Sequence, residues 1–222
     1  MAFSLRVGEG LRRALIPVID RTAPLRGRLA QAGGVLPLGK FPETEIDCYL
    51  QKLSTGGRYR LTRREIRRLL PKFSRYGVRA LLDDYLGPWW SADYAAVWRS
   101  PRQSSSGQWH HDNVGNRVKL FVILGNESEE NGTEFVPHTH RTRWRTFTGR
   151  LAAPDTGRCF VPQRRGDVLI FDTNVVHRGR YSASERIILQ VEFSSIFKSL
   201  LPFGHCGRYF RSRLEQRYGA AE

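Results

Sequence analysis

The chain of 222 residues carries 36 basic against 21 acidic side chains, a formal net charge of +15, with 40% hydrophobic and 11% aromatic residues. That composition excludes a disordered chain, and apolar runs such as Phe121-Val-Ile-Leu124 fall far short of the roughly 20 residues a membrane-spanning helix needs. The excess charge is nearly all arginine, which fits an anionic ligand or surface and fits equally a solvated face.

The length predicts one domain spanning 1–222. From Ser4 to Ala32 apolar residues alternate with arginines, and Pro17 and Pro24 interrupt any long helix,. Such short basic amphipathic pieces either cover one side of a core or make a peripheral contact with an anionic membrane surface. No apolar leader with a cleavage site is evident, and Cys48, Cys159 and Cys206 lack metal-type spacing, so a cytoplasmic protein is expected, with Cys159 and Cys206 as small core residues. Gly33 to Pro42 reads as a loop, and 1–60 as a whole as a basic helical and loop segment.

Over 61–90 two buttressing helices are predicted. Thr62-Arg-Arg-Glu65 has the spacing of a capping box, followed by Ile66, Leu69, Leu70 and Phe73 at helical intervals,. A second helix covers Val78 to Leu86 and stops at Gly87-Pro88,. The period then changes. Tyr94 to Trp98, Val118 to Leu124, Gly132 to Pro137, Arg158 to Val161, Asp167 to Phe171 and Arg186 to Phe193 are short strand-like runs between turn residues,. Helices followed by many short strands predict a mainly β fold, a sandwich or closed jelly-roll core over 91–197 buttressed by N-terminal helices, with 198–222 a basic tail. In the last strand Ile187, Leu189, Val191 and Phe193 share one face, and Arg186, Gln190 and Glu192 the other. The pattern leaves open whether that polar face meets water or lines a barrel.

His110 and Asp112 stand two apart, so in extended chain they point the same way and make half a metal site,. With His177 they give two histidines and a carboxylate, the ligand set that leaves open positions on a non-heme Fe(II) ion. Arg186 follows nine residues later, across an apparent hairpin turn through Arg178 to Ser184, and its guanidinium suits a bidentate grip on a carboxylate. His111, between the ligands, points away by alternation and is expected to pack or to support the site. His140 is expected to order its loop.

His110-His-Asp-Asn, Asn131-Gly-Thr-Glu-Phe-Val-Pro-His-Thr-His140 and Gly166-Asp-Val-Leu-Ile-Phe with His177 and Arg186 together resemble the phytanoyl-CoA dioxygenase family of Fe(II)/2-oxoglutarate oxygenases, over roughly Leu81 to Phe193. The resemblance implies a double-stranded β-helix and an enzyme with Fe(II) and 2-oxoglutarate as cofactors. It makes His110, Asp112 and His177 the metal ligands and catalytic centre, and Arg186 the residue that binds the far carboxylate of 2-oxoglutarate, with Phe121 packing against that cosubstrate. The reaction it implies is hydroxylation, by O2, of an unactivated carbon in a small anionic or carrier-linked metabolite; related halogenases lack the carboxylate that Asp112 supplies. Gly179 departs from the family, which commonly has a hydroxyl side chain two residues after the distal histidine, and His138 departs in the preceding loop. By the family's architecture Arg141, Arg143, Trp144 and Arg145 lie near the barrel mouth, as substrate-access candidates within a run of arginines extending to Arg165. Basic residues around an aromatic also suit single-stranded nucleic acid, which makes an oxidative demethylase one alternative; a jelly-roll that binds metal without turnover is the other.

Overall fold

The computed structural model describes residues 23–53, 57–100, 107–112, 117–126, 128–141, 151, 157–181 and 185–195. In chain order these form α1 (Gly27–Gln31), β1 (Val35–Lys40), α2 (Glu43–Leu50), β2 (Arg58–Arg60), α3 (Arg63–Leu69) running into a 3₁₀ turn, and α4 (Val78–Leu86). The strands β3 (Trp90–Ser100), β4 (Arg117–Asn126), β5 (Gly132–Val136), β6 (Cys159–Pro162), β7 (Asp167–Asp172), β8 (Val176–Arg180) and β9 (Arg186–Ser195) follow. They build a six-stranded sheet in the order β1-β7-β4-β9-β3-β2 and a three-stranded sheet in the order β6-β5-β8, with every pairing antiparallel. The fold is mainly β, of the jelly-roll type with helices against one face, as the patterning predicts, and is the double-stranded β-helix that the resemblance implies. No described helix is long and apolar enough to cross a membrane.

The two helices begin and end where the sequence says they should. The Thr62 side chain accepts from the Glu65 amide while the Glu65 carboxylate accepts from the Thr62 amide at 2.8 Å, which satisfies two amides that would otherwise be orphaned at the start of α3,. Gly77, in a left-handed conformation at φ 65°, separates the 3₁₀ turn from α4, and Gly87 ends α4,. Val78, Leu81, Leu82, Tyr85 and Leu86 form one buried stripe of α4,. They pack with Leu29, Ile46, Leu69 and Phe73 on Val118, Leu120, Val122, Leu189, Val191 and Phe193 of the large sheet.

Successive strand residues face opposite ways, so the remaining set points between the sheets. Phe121, Ile123, Leu169, Phe171 and Ile188 make a second core there with Val35, Phe135 and Val175. The question left by the last strand is thereby answered: Arg186, Gln190 and Glu192 point into the barrel and are buried.

Three readings need correction. Gly33 to Pro42 is not a loop, because β1 pairs with β7 from Val35 through Lys40; it is an edge strand, where Pro37 forfeits no needed hydrogen bond, and the pairing shifts register between Pro37 and Gly39,. With β2 at the opposite edge, both edges of the large sheet come from the segment expected to hold helices and loops. The stretch after His177 does not turn at Arg178 but continues as β8 through Arg180, paired residue by residue with β5. Finally, Cys159 is exposed rather than in the core, at the first position of β6, whose burial alternates little. Cys206 lies outside the described residues, as do residues 1–22 of the basic N-terminal segment and the tail 198–222.

A candidate metal centre and anion pocket

His110 and Asp112 reach the barrel on a short extended piece anchored by backbone bonds. His110 and His177 exchange two of these, 2.9 and 2.8 Å long, so the piece continues the small sheet beyond β8, and the Asp112 amide donates to the Thr173 carbonyl at 2.9 Å. The turn between β7 and β8 is fixed from the helix layer. The Tyr85 hydroxyl donates to Asp172 at 2.6 Å, and the other oxygen of Asp172 accepts from the Asn174 amide at 2.7 Å. Gly34 passes so close to this turn, at φ 94°, that a Cβ would lie 2.5 Å from Val175 and 2.7 Å from the His140 ring,. One buried network therefore ties α4, β1 and the turn that delivers His177.

The three side chains converge. Their ligand atoms all lie within 4.8 Å of one another; His110 Nε2 is 3.5 Å from Asp112 Oδ1, and His177 Nε2 is 3.5 Å from Asp112 Oδ2. Each imidazole has its Nδ1 at a backbone carbonyl, His110 at Gln108 (2.6 Å) and His177 at Val175 (2.7 Å). A Nδ1–H that donates there leaves the Nε2 lone pair directed at the shared point, the tautomer a metal ligand requires. Burial pushes the Asp112 carboxyl up, but the Lys119 ammonium and the two imidazoles outweigh it and hold the group well below the usual carboxylate range. Asp112 is therefore anionic. Phe171 packs 5.1 Å from the His177 ring and Phe121 5.0 Å from Phe171, giving the centre an apolar wall on one side.

Lys119 is the residue that sequence reasoning missed. Its Nζ donates to Asp112 Oδ2 at 2.6 Å. The signal was present in the alternation of β4, where Val118, Leu120 and Val122 serve the helix-side core and a charged residue between them must point into the barrel. Beside it, Glu192 is 3.2 Å from Arg117 Nη1 and accepts from Gln190 at 2.7 Å. The inner face is thus a row of compensated charges next to the ligands.

Arg186 lies deeper in the same barrel and is 2% exposed. Its guanidinium is held by the Gly132 carbonyl (3.0 Å) and the Gln163 side-chain oxygen, and it stacks over the Tyr181 ring at 5.2 Å. Its Nε has no hydrogen-bond partner, and no carboxylate pairs with it among the described residues. Burial pushes its pKa down, with Tyr181 opposing, yet a guanidinium stays charged. A buried cation with a spare donor asks for an anion. The Gly179 departure has a local cause: a Cβ there would meet the Tyr181 hydroxyl at 2.4 Å, and that hydroxyl lies 3.4 Å from Arg186.

The other expected residues fare differently. His111 is fully buried, and His140 orders its loop through Nδ1 at 3.1 Å from the Gly33 carbonyl. Arg141 is exposed on a 3₁₀ turn whose Thr139 hydroxyl accepts from the Val176 amide of β8 at 2.9 Å, and Arg143, Trp144 and Arg145 lie outside the described residues. Further along the run, Arg165 is engaged by Glu43 (2.8 Å) and Asp47 (2.7 Å), and Arg164 by Glu129 (2.7 Å); these two serve ion pairs rather than an open anion site.

No protein-family model matches the chain, and no curated protein does. Solved structures share its fold. EvdO2 from Micromonospora carbonacea var. aurantiaca, solved with 2-oxoglutarate, superposes with a TM-score of 0.56 at 16% identity over 74% of this chain and 87% of its own. HygX from Streptomyces hygroscopicus, solved with iron bound, gives 0.51 at 17% over 76% and 85%. EvdMO1 gives 0.54 at 20% over 76% of this chain, which spans about half of EvdMO1's length (48%).

Proposed function

We propose that this protein is an Fe(II)- and 2-oxoglutarate-dependent oxygenase, a hydroxylase of an unactivated carbon in a small anionic metabolite, related to the phytanoyl-CoA dioxygenase family. The observation that carries the reading is a pair of features in one barrel: three convergent ligands of the His, Asp, His type, and a buried arginine whose Nε is left over. The first suits a divalent iron with open positions. The second suits the far carboxylate of a dicarboxylic cosubstrate. That HygX holds iron and EvdO2 holds 2-oxoglutarate in the same fold supports the same assignment.

His110, Asp112 and His177 would hold the metal, and Arg186 with the Tyr181 hydroxyl would receive the cosubstrate carboxylate. Iron and 2-oxoglutarate bound there would supply O2 activation coupled to oxidative decarboxylation of the cosubstrate to succinate. The chain's own residues do the rest. Gln163 and the Gly132 carbonyl fix the guanidinium plane, the carbonyls of Gln108 and Val175 fix the imidazoles, and Phe121 and Phe171 keep water from the ligands and give the cosubstrate an apolar surface. Cytoplasmic residence fits the free thiols of Cys48 and Cys159,.

The test is succinate formation from 2-oxoglutarate across a panel of acidic metabolites. Fe(II)-dependent succinate, raised by one of them with formation of its hydroxylated product, is the expected result. Iron binding with no succinate under any condition contradicts the reading and leaves a metal-binding jelly-roll without turnover.

A further inference from the structure

Of the barrel-facing charges, those nearest the metal centre neutralise one another: Lys119 with Asp112 and Arg117 with Glu192. Two do not. Arg58 and Arg60 of β2 stand opposite Trp98 and Ala96 of β3, and directly opposed residues share a face. Trp98 packs against the inter-sheet core, so both arginines are on the barrel-facing side of the large sheet. Tyr59, between them, faces the helices, its hydroxyl on Glu65 at 3.1 Å. The two guanidiniums converge on one ring, with Arg58 Cζ 5.7 Å and Arg60 Cζ 5.4 Å from the Tyr94 centroid, and Arg58 also donates to the Tyr94 hydroxyl. Stacking fixes the planes of both forks. Neither has a carboxylate within ion-pair distance among the described residues, in contrast to Arg164 and Arg165.

The register connects this pair to the metal centre. Tyr94 is opposite Glu192, and Glu192 is opposite Lys119, whose Nζ reaches Asp112. From β2 to β4 there are three strand spacings, roughly 14 Å at about 4.8 Å each.

We propose that Arg58, Arg60 and Tyr94 form a subsite for a phosphate or carboxylate group at the far end of the substrate. The subsite takes its purpose from the oxygenase reading above, which it deepens: the substrate is an extended anion whose charged end sits roughly three strand spacings from the carbon that reacts, too long to be a simple short-chain acid. This subsite lies at the free edge of the large sheet, apart from the Arg141 to Arg165 run, most of whose first half is outside the described residues.

The experiment titrates the full chain with phenyl phosphate and with benzoate, probes that differ in their anion, and follows backbone amides of β2 and β3 by NMR at low salt. Saturable shifts there are expected, weakened at least about 10-fold in Arg58→Gln/Arg60→Gln by loss of charge-assisted hydrogen bonds. They are expected to persist in Arg67→Gln/Arg68→Gln, an equal charge loss on exposed positions of α3. Arg58→Lys/Arg60→Lys, which keeps the charge and the surface but not the forks, is expected to lie between. The tighter probe names the group as phosphate or carboxylate. Absence of saturable shifts with both probes, or equal binding by the two glutamine double variants, overturns the proposal and leaves the arginines as solvated charges that guard an edge strand. Because these shifts need neither iron nor turnover, a protein that binds the anion yet forms no succinate faults the metal-centre reading and not the subsite.

Discussion

Leu189, Val191 and Phe193 project from β9 into the core beneath the helices, while Arg186, Gln190 and Glu192, one residue out of step, project into the barrel. Both sets are buried, and the same backbone carries both. The helix-facing set is apolar, is closed by α3 and α4, and contains no group that asks for a ligand. The barrel-facing set holds charges that are costly to bury: Lys119 is matched with Asp112 and Arg117 with Glu192, while the Arg186 Nε has no hydrogen-bond partner among the described residues. The difference separates the two faces of one strand: one is apolar and holds the sheet against the helices, the other carries buried charges beside the His110, Asp112 and His177 cluster.

The comparison breaks most visibly on the helix-facing side. Phe193 is fully buried and meets Trp90 edge-on at 5.6 Å; Phe193→Ala is expected to destabilise the chain by about 3–5 kcal/mol in chemical denaturation, with Fe(II) affinity of the folded protein little changed. On the other face binding changes as well. Arg186→Leu removes a buried cation but takes the donor from the buried Gly132 carbonyl and Gln163 side chain, so a stability loss of about 1–3 kcal/mol is expected, beside a roughly 10- to 100-fold weakening of 2-oxoglutarate binding by loss of a charge-assisted bidentate contact. Calorimetry of 2-oxoglutarate against the iron-loaded variant checks this, and unaltered affinity would assign the carboxylate to another residue.

How far the sequence foretold these faces depends on the kind of signal. The capping box at Thr62, the stripe of α4 and the core strands were legible because each rests on local spacing. The pairing of His110 with Asp112 was legible because they share a strand face, though their convergence with His177 depends on a bridge between distant segments. The edge strands β1 and β2 were not, since Pro37 and Gly39 are loop residues by composition and only pairing with β7 and β3 makes the segments strands. Lys119 was overlooked because a lysine in a strand reads as a solvent-facing residue until the other face is known to be covered. The pairing of Arg165 with Glu43 and Asp47 spans more than a hundred residues and has no local signature.

The smallest effect concerns the loop that joins the two layers. Burial, the chief cause, lowers the His140 pKa from 6.5 to about 4, so the imidazole is neutral in the folded chain. Between pH 6.5 and about 4 the unfolded chain takes up a proton that the folded chain refuses. Stability is therefore expected to fall as pH drops through that window, by at most about 3 kcal/mol from this residue, and to level off below it. His140→Gln should flatten the slope in denaturation measured at several pH values; an unchanged slope would assign the effect elsewhere.

In the function proposed, His110, Asp112 and His177 hold a metal, and 2-oxoglutarate binds through that metal and Arg186 together. The most direct measurement is 2-oxoglutarate binding by calorimetry without oxygen, in the parent and in His177→Ala, each with and without Fe(II). Tight binding is expected only in the parent with Fe(II), with iron affinity in His177→Ala lowered at least about 100-fold while circular dichroism shows the fold retained. Full iron affinity in the variant, or 2-oxoglutarate binding that is indifferent to the metal, would contradict the proposal.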